Sequence, residues 1–194
     1  MDQGEWADAL AAAVATTAGA VASAGESDWS AAAGDLAWTC RDTVQHVASD
    51  FVGYAGQLTD PRERGYAPVD VVLEGEPGSA GLADVLRATG GMLVSVVRTT
   101  PPGTRSWHPY GMAGPCDFAA MGVVEALVHT YDLDRTLTLG LDPDRDLCAR
   151  ALGQLFPDVP AGDDAWVALL WATGRVARGA ETRREGWRWA NTGR

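Results

Sequence analysis

Apolar residues recur at three- and four-residue steps through the first 140 positions, with breaks rich in glycine and proline. Trp6, Leu10, Val14, Ala18 and Val21 mark a first helix from Trp6 to Ala24. A connector rich in Gly, Ser and Asp follows from Gly25 to Ala37, carries Trp29 and ends at Trp38. Thr39 reads as an N-cap, with Asp42 three residues on, for a second helix from Cys40 to about Leu58 that Asp60-Pro61 stops. Tyr66 to Leu73 alternates weakly, as an extended connector or a short strand would. Ser79-Ala-Gly opens a third helix through Leu82, Val85, Leu86, Met92, Leu93, Val96 and Val97, ended by Pro101-Pro102. The loop from Gly103 to Pro115 holds Trp107, His108, Pro109 and Tyr110, and a fourth helix runs from about Asp117 to Leu137.

Four helices joined in this way predict an all-α four-helix bundle over residues 1–140, with sites built on facing helices. Residues 141–194 predict a short helical extension packed on the bundle. In it, Asp142-Pro143 supplies N-cap and first position of a helix to Leu155, and Asp163-Asp164 starts another through Trp166, Leu169, Leu170 and Trp171. The alternation Trp187-Arg-Trp189 suggests a terminal strand or a strip laid on the bundle.

The fourth helix is unusual in being apolar on most sides, through Met121, Val123, Val124, Leu127, Val128 and Leu133. Such a helix is buried. Yet it carries Glu125 and His129, one turn apart on one face, with Asp132 between them in projection. Burying that pair costs several kcal/mol unless something compensates it. A divalent metal would do so, and so would an internal Glu–His hydrogen bond. The chain has three histidines. His46, on the second helix, could join the pair as a third ligand, since zinc commonly takes three N/O protein ligands and leaves a position open. It lies at the edge of that helix's apolar face, in line with Asp42 and Asp50, so a solvated histidine fits equally well. Under the metal reading, Asp42 or Asp50 would orient its ring.

Composition narrows the chemistry. A net charge of −11 argues against nucleic acid. The longest low-polarity run, Leu10 to Ala24, reads as an amphipathic helix, not a signal peptide or membrane span. Cys40, Cys116 and Cys148, odd in number and without CxxC spacing, predict a reducing cytoplasm and no disulfide framework. Cys40 and Cys148 read as buried small hydrophobes, whereas Cys116 sits in a loop. Lysine is absent, which excludes Schiff-base chemistry, a pyridoxal phosphate anchor and a P-loop lysine. Arg175, Arg178, Arg183, Arg184, Arg188 and Arg194 cluster in the tail, as an anion site or a solvated face would.

Two segments carry a family resemblance. Trp38-Thr-Cys-Arg-Asp-Thr-Val-Gln-His46-Val-Ala-Ser-Asp-Phe resembles the first metal-binding motif of the mycothiol-dependent maleylpyruvate isomerase N-terminal domain, within the DinB/YfiT-like superfamily of four-helix bundles. Trp107-His-Pro-Tyr-Gly through Gly122-Val-Val-Glu125-Ala-Leu-Val-His129-Thr-Tyr-Asp132 resembles its second. The resemblance spans about residues 5–140. It implies that His46, Glu125 and His129 ligate a divalent metal, usually zinc, with nickel or iron as alternatives. It also implies mycothiol as co-substrate, in S-transfer or cis–trans isomerisation of a small electrophile. About fifty residues follow Gly140, where the isomerase carries a larger C-terminal domain.

The expectation is therefore a cytoplasmic, metal-dependent thiol transferase or isomerase, monomeric or homodimeric. Trp38, Trp107 and Tyr110 would line the cavity, His108 and Asp132 would be catalytic, and Arg175 and Arg178 would receive anionic groups. The plainer alternative is packing for the aromatic residues and His108, a solvated face for the arginines, and a helix-end cap for Asp132. The rival functions are a metal-dependent hydrolase or Lewis-acid enzyme without thiol, and a non-catalytic metal- or ligand-binding bundle.

Overall fold

A computed structural model describes residues 1–191. It contains six helices over that range: α1 (Gln3–Ser23), α2 (Cys40–Thr59), α3 (Ser79–Thr99), α4 (Pro115–Leu137), α5 (Arg145–Leu155) and α6 (Ala165–Ala172). The starts follow local chemistry. Asp2 and Glu5 form a capping box on α1, and Thr39 and Asp42 form one on α2. Pro115 opens α4, and the Asp117 carboxylate accepts the Gly114 N–H at 2.9 Å. The α5 cap is Asp144, two residues beyond the expected Asp142, with its carboxylate accepting from Asp146 and Leu147. Asp164 caps α6 as expected.

α1 packs on α3 and α4, and α2 packs on the same two helices, so the first four helices make the bundle. α4 is its central member, buried from Pro115 to Leu133 on nearly every side, because α1, α2, α3 and α5 surround it. Among the described residues α3 alone is long and apolar enough by composition to cross a membrane. Its Leu82, Leu86, Leu93 and Val97 are buried in the core that α1 and α2 share.

α5 and α6 pack together, and α5 leans on α4. The terminal strand is not formed. Among the described residues the only β pairing is the isolated bridges Ala32–Thr39, Ser106–Ala113 and Arg178–Glu181, and Tyr66 to Leu73 is likewise irregular. Trp187 and Trp189 form a strip laid on the bundle end: their rings meet each other at 5.5 Å and Phe156 at 6.0 and 6.4 Å. The strip is tied down by the Ala190 N–H on the Leu155 carbonyl (2.7 Å) and the Asn191 amide on the Gly111 carbonyl (2.7 Å). Two aromatic rings stacked on a helical core bury more area than an unpaired edge strand would, and leave no ladder open.

Candidate metal centre

α2 and α4 pack side by side, which brings His46 against the Glu125/His129 face. One donor atom from each of the three residues lies within 4.8 Å of the others. Glu125 Oε2 stands 3.2 Å from His129 Nε2 and 3.8 Å from His46 Nε2. Glu125 and His129 are 8% and 7% exposed, while the His46 side chain keeps 32%. The polar line on α4 is therefore internal, and His46 forms its outward side.

Each group is held from behind. His129 Nδ1 lies 3.0 Å from Asp132 Oδ2, and Arg175 grips the same carboxylate through Nη2 (2.9 Å) and Nε (3.3 Å). The hydroxyl of buried Tyr54 donates to Glu125 Oε1 at 3.4 Å. Trp38 lies against His46, ring centroids 4.6 Å apart. Asp50 Oδ2 approaches His46 Nε2 at 3.2 Å.

The electrostatics of this cluster are those of a site short of positive charge. Burial pushes the Asp50 carboxyl up to about 9, helped by the negative charge of Glu125. Burial would raise Glu125 also, but the hydrogen bonds with His129 and His46 hold it well below the carboxylate range. Burial disfavours the His129 imidazolium, yet the bonds to Asp132 and Glu125 prevail and raise it to about 9. Without another cation, His129 neutralises the carboxylates by keeping its own proton.

A cavity of about 330 Å³ opens on the cluster, lined by Leu36, Trp38, His46, His108, Tyr110, Val128, Arg175, Trp187, Trp189 and others. A second, of about 450 Å³, shares His46, His108 and Pro109 with the first and is walled also by Asp50, Tyr54, Tyr66, Val69 and Asp70. His108 therefore borders both. It is buried, and burial lowers it to about 4. Its Nδ1 accepts the Tyr110 N–H at 3.2 Å, so the neutral ring carries its proton on Nε2.

Of the residues expected at the site, Trp38, His108, Tyr110 and Arg175 line the first cavity along with His46, Glu125 and His129. Asp132 sits behind His129, outside that lining. Trp107 is turned away: its ring meets Tyr66 at 5.5 Å and its carbonyl accepts from the Gln57 side chain. Arg178 is paired through its backbone with Glu181, away from the cavity. The other tail arginines divide. Arg183 bonds Asp35, Arg184 bonds Asp158, and both line a neighbouring cavity of about 370 Å³ with Arg135 and Arg175. Arg194 lies outside the described residues.

Sequence reasoning does not place Tyr54, Trp187 or Trp189 at the site, although it marks the two tryptophans as a terminal strand or strip. Tyr54 follows His46 by eight residues, two turns along α2, which is the only signal of it. The tryptophans arrive from the far end of the chain, where no spacing relates them to α4. The thiols carry no sign of activation: burial raises Cys40 to about 11 and Cys148 to about 12, and raises Cys116 as well.

A four-helix bundle with a His–Glu–His cluster on facing helices, under an aromatic cavity, is the class that fold and site define. Within it the chain belongs to the mycothiol maleylpyruvate isomerase N-terminal domain family, whose model matches residues 10–134, from α1 to the last turn of α4. No curated protein and no solved structure matches the chain.

Proposed function

We propose that the chain is a metal-dependent enzyme that joins a small thiol of the mycothiol type to a small electrophile, by S-transfer or by reversible addition leading to cis–trans isomerisation. The observation that carries the reading is the convergence of two imidazoles and one carboxylate between two cavities. Two nitrogens and one oxygen are a donor set that zinc accepts, with nickel and iron as alternatives. His46, Glu125 and His129 would hold the ion. When bound, it would favour the thiolate of a coordinating thiol and polarise a carbonyl.

The remaining roles belong to the chain. Asp132, gripped by Arg175, keeps the His129 proton on Nδ1 and so turns Nε2 toward the cluster. Leu36, Val124, Val128, Trp187 and Trp189 exclude water from the first cavity. Neutral His108 offers its Nε2–H to a carbonyl or carboxylate oxygen of the electrophile. Two cavities meeting at His46 and His108 suit two reactants better than one reactant and water, which favours thiol chemistry over hydrolysis.

Metal analysis of purified protein tests the first half, with His46→Ala and Glu125→Ala alongside. One equivalent in the parent and a large loss in both variants is the expected result. Metal that persists in both variants would sink the assignment. Calorimetric titration of the metal-loaded protein with mycothiol then tests the second half, and absence of binding at millimolar thiol would refute the thiol reading.

A further inference from the structure

We infer that Asp50 is a fourth protein donor to the metal position, making the site a two-histidine, two-carboxylate set. The inference rests on the metal reading above and extends it. It begins with which ring nitrogen each aspartate faces. Asp132 approaches His129 at Nδ1, the nitrogen turned away from the cluster, as an orienting acceptor does. Asp50 approaches His46 at Nε2, the nitrogen that also faces Glu125 Oε2. It stands on the ligand side of the ring.

The arrangement repeats across the two helices. On α4, Glu125 and His129 are four residues apart with carboxylate oxygen and Nε2 at 3.2 Å. On α2, His46 and Asp50 are four residues apart with the same two atom types at 3.2 Å. Two one-turn carboxylate–imidazole pairs face one another from neighbouring helices, a pattern suited to holding metal in a bundle core.

Metal binding changes what these carboxylates can bond. A coordinated Nε2 has no proton to donate, so an oxygen 3.2 Å from it faces a nitrogen with nothing to offer. The same holds for Glu125 beside His129. Asp50 and Glu125 also share a side-chain hydrogen bond, which keeps the two carboxyl groups together, and the cation that replaces the imidazole protons offers both a partner. Asp50 is not among the three mutually close donors, so it joins the ion by turning its side chain once the proton has gone. It also walls the second cavity with Tyr54 and Tyr66.

The test compares parent, Asp50→Asn and Asp50→Ala, with Asp70→Asn as a control on the same cavity wall. Zinc affinity is measured by competition with a chromogenic chelator, and each protein is reconstituted with cobalt(II) for its visible absorption spectrum. Direct ligation predicts an affinity loss in both Asp50 variants larger than the roughly 10- to 100-fold that loss of an orienting partner costs, with altered cobalt band positions and intensities. The control should match the parent in both. Unchanged affinity overturns the inference. So does weakened affinity with an unchanged cobalt spectrum, because that is the behaviour of an orienting residue. Circular dichroism of the metal-free variants separates misfolding from ligand loss, and Asn, being isosteric, is the variant expected to keep the fold. A parent that binds no metal would overturn the metal reading itself, a different result from a parent that binds while its Asp50 variants bind equally well.

Discussion

Burial disfavours the charged form of both His108 and His129, yet the two shift in opposite directions because their partners differ. His129 meets two carboxylates, and its bonds to Asp132 and Glu125 outweigh the cost of desolvating its charge. His108 meets rings, Tyr54, Tyr66, Tyr110, Phe118 and Trp189, and burial lowers it to about 4 with Glu125 only weakly opposing. The sign for stability follows. An unfolded chain protonates His108 near 6.5, whereas the folded chain resists until about 4. Its contribution is therefore present above pH 6.5 and is lost as pH falls toward 4, by up to about 3 kcal/mol. Urea unfolding at pH 7.5, 6 and 5 should show His108→Gln losing less stability than the parent over that range. Equal slopes in the two proteins would contradict this account of His108.

At the scale of elements, α4 is positioned by close helix crossings. An added Cβ at Gly122 would lie 2.9 Å from Leu10 Cδ1 and 3.0 Å from Leu93 Cδ2, at the height of Glu125 less one turn. A Cβ at Gly90 of α3 would lie 2.6 and 2.7 Å from the two Val14 methyls on α1. Val14 is β-branched and stiff in a helix, so it yields poorly. Alanine would gain about 1 kcal/mol of helix propensity over glycine, but overpacking costs about 1–3 kcal/mol. Gly90→Ala should be net destabilising in denaturant unfolding by about 1 kcal/mol, and Val14→Ala in the same chain should relieve the clash. A more stable Gly90→Ala protein would show that α1 and α3 can part freely.

At the scale of the molecule, the last fifty residues complete the site. Arg175, beyond α6, forks onto Asp132 of α4, which holds His129. Trp187 and Trp189 wall the cavity from the same segment. The donor cluster on α2 and α4 is thus coupled to docking of the C-terminal part through one buried carboxylate. Metal binding stabilises the folded form by an amount that grows with the logarithm of its affinity. Arg175→Gln should lower the metal-free melting temperature and also shrink the rise on adding zinc, corresponding to about a tenfold weaker affinity. A variant that melts lower but keeps the full zinc increment would show that Arg175 only anchors the extension.

Much of this was legible beforehand for a local reason. Helix positions, the Thr39 and Asp164 caps and the placing of Glu125 over His129 depend on residues within one or two turns, and backbone geometry alone relates them. The apolar circumference of α4 showed that the pair is buried. Periodicity placed His46, Asp50 and Asp132 each on a face, but a face does not say which ring nitrogen a carboxylate meets. That depends on how α2 and α4 pack and on the rotamers the packing allows: spacing offers Asp42 or Asp50 to orient His46, whereas Asp42 caps α2 and Asp50 stands on the Nε2 side. The choice of Arg175 over Arg178, and of Trp189 over Trp107 as a cavity wall, was likewise decided by contacts between segments scores of residues apart. The sequence by itself determined a helical bundle with a carboxylate–imidazole pair at its centre. Only the tertiary structure decided what surrounds that pair, because the surrounding groups come from distant stretches that folding alone brings together.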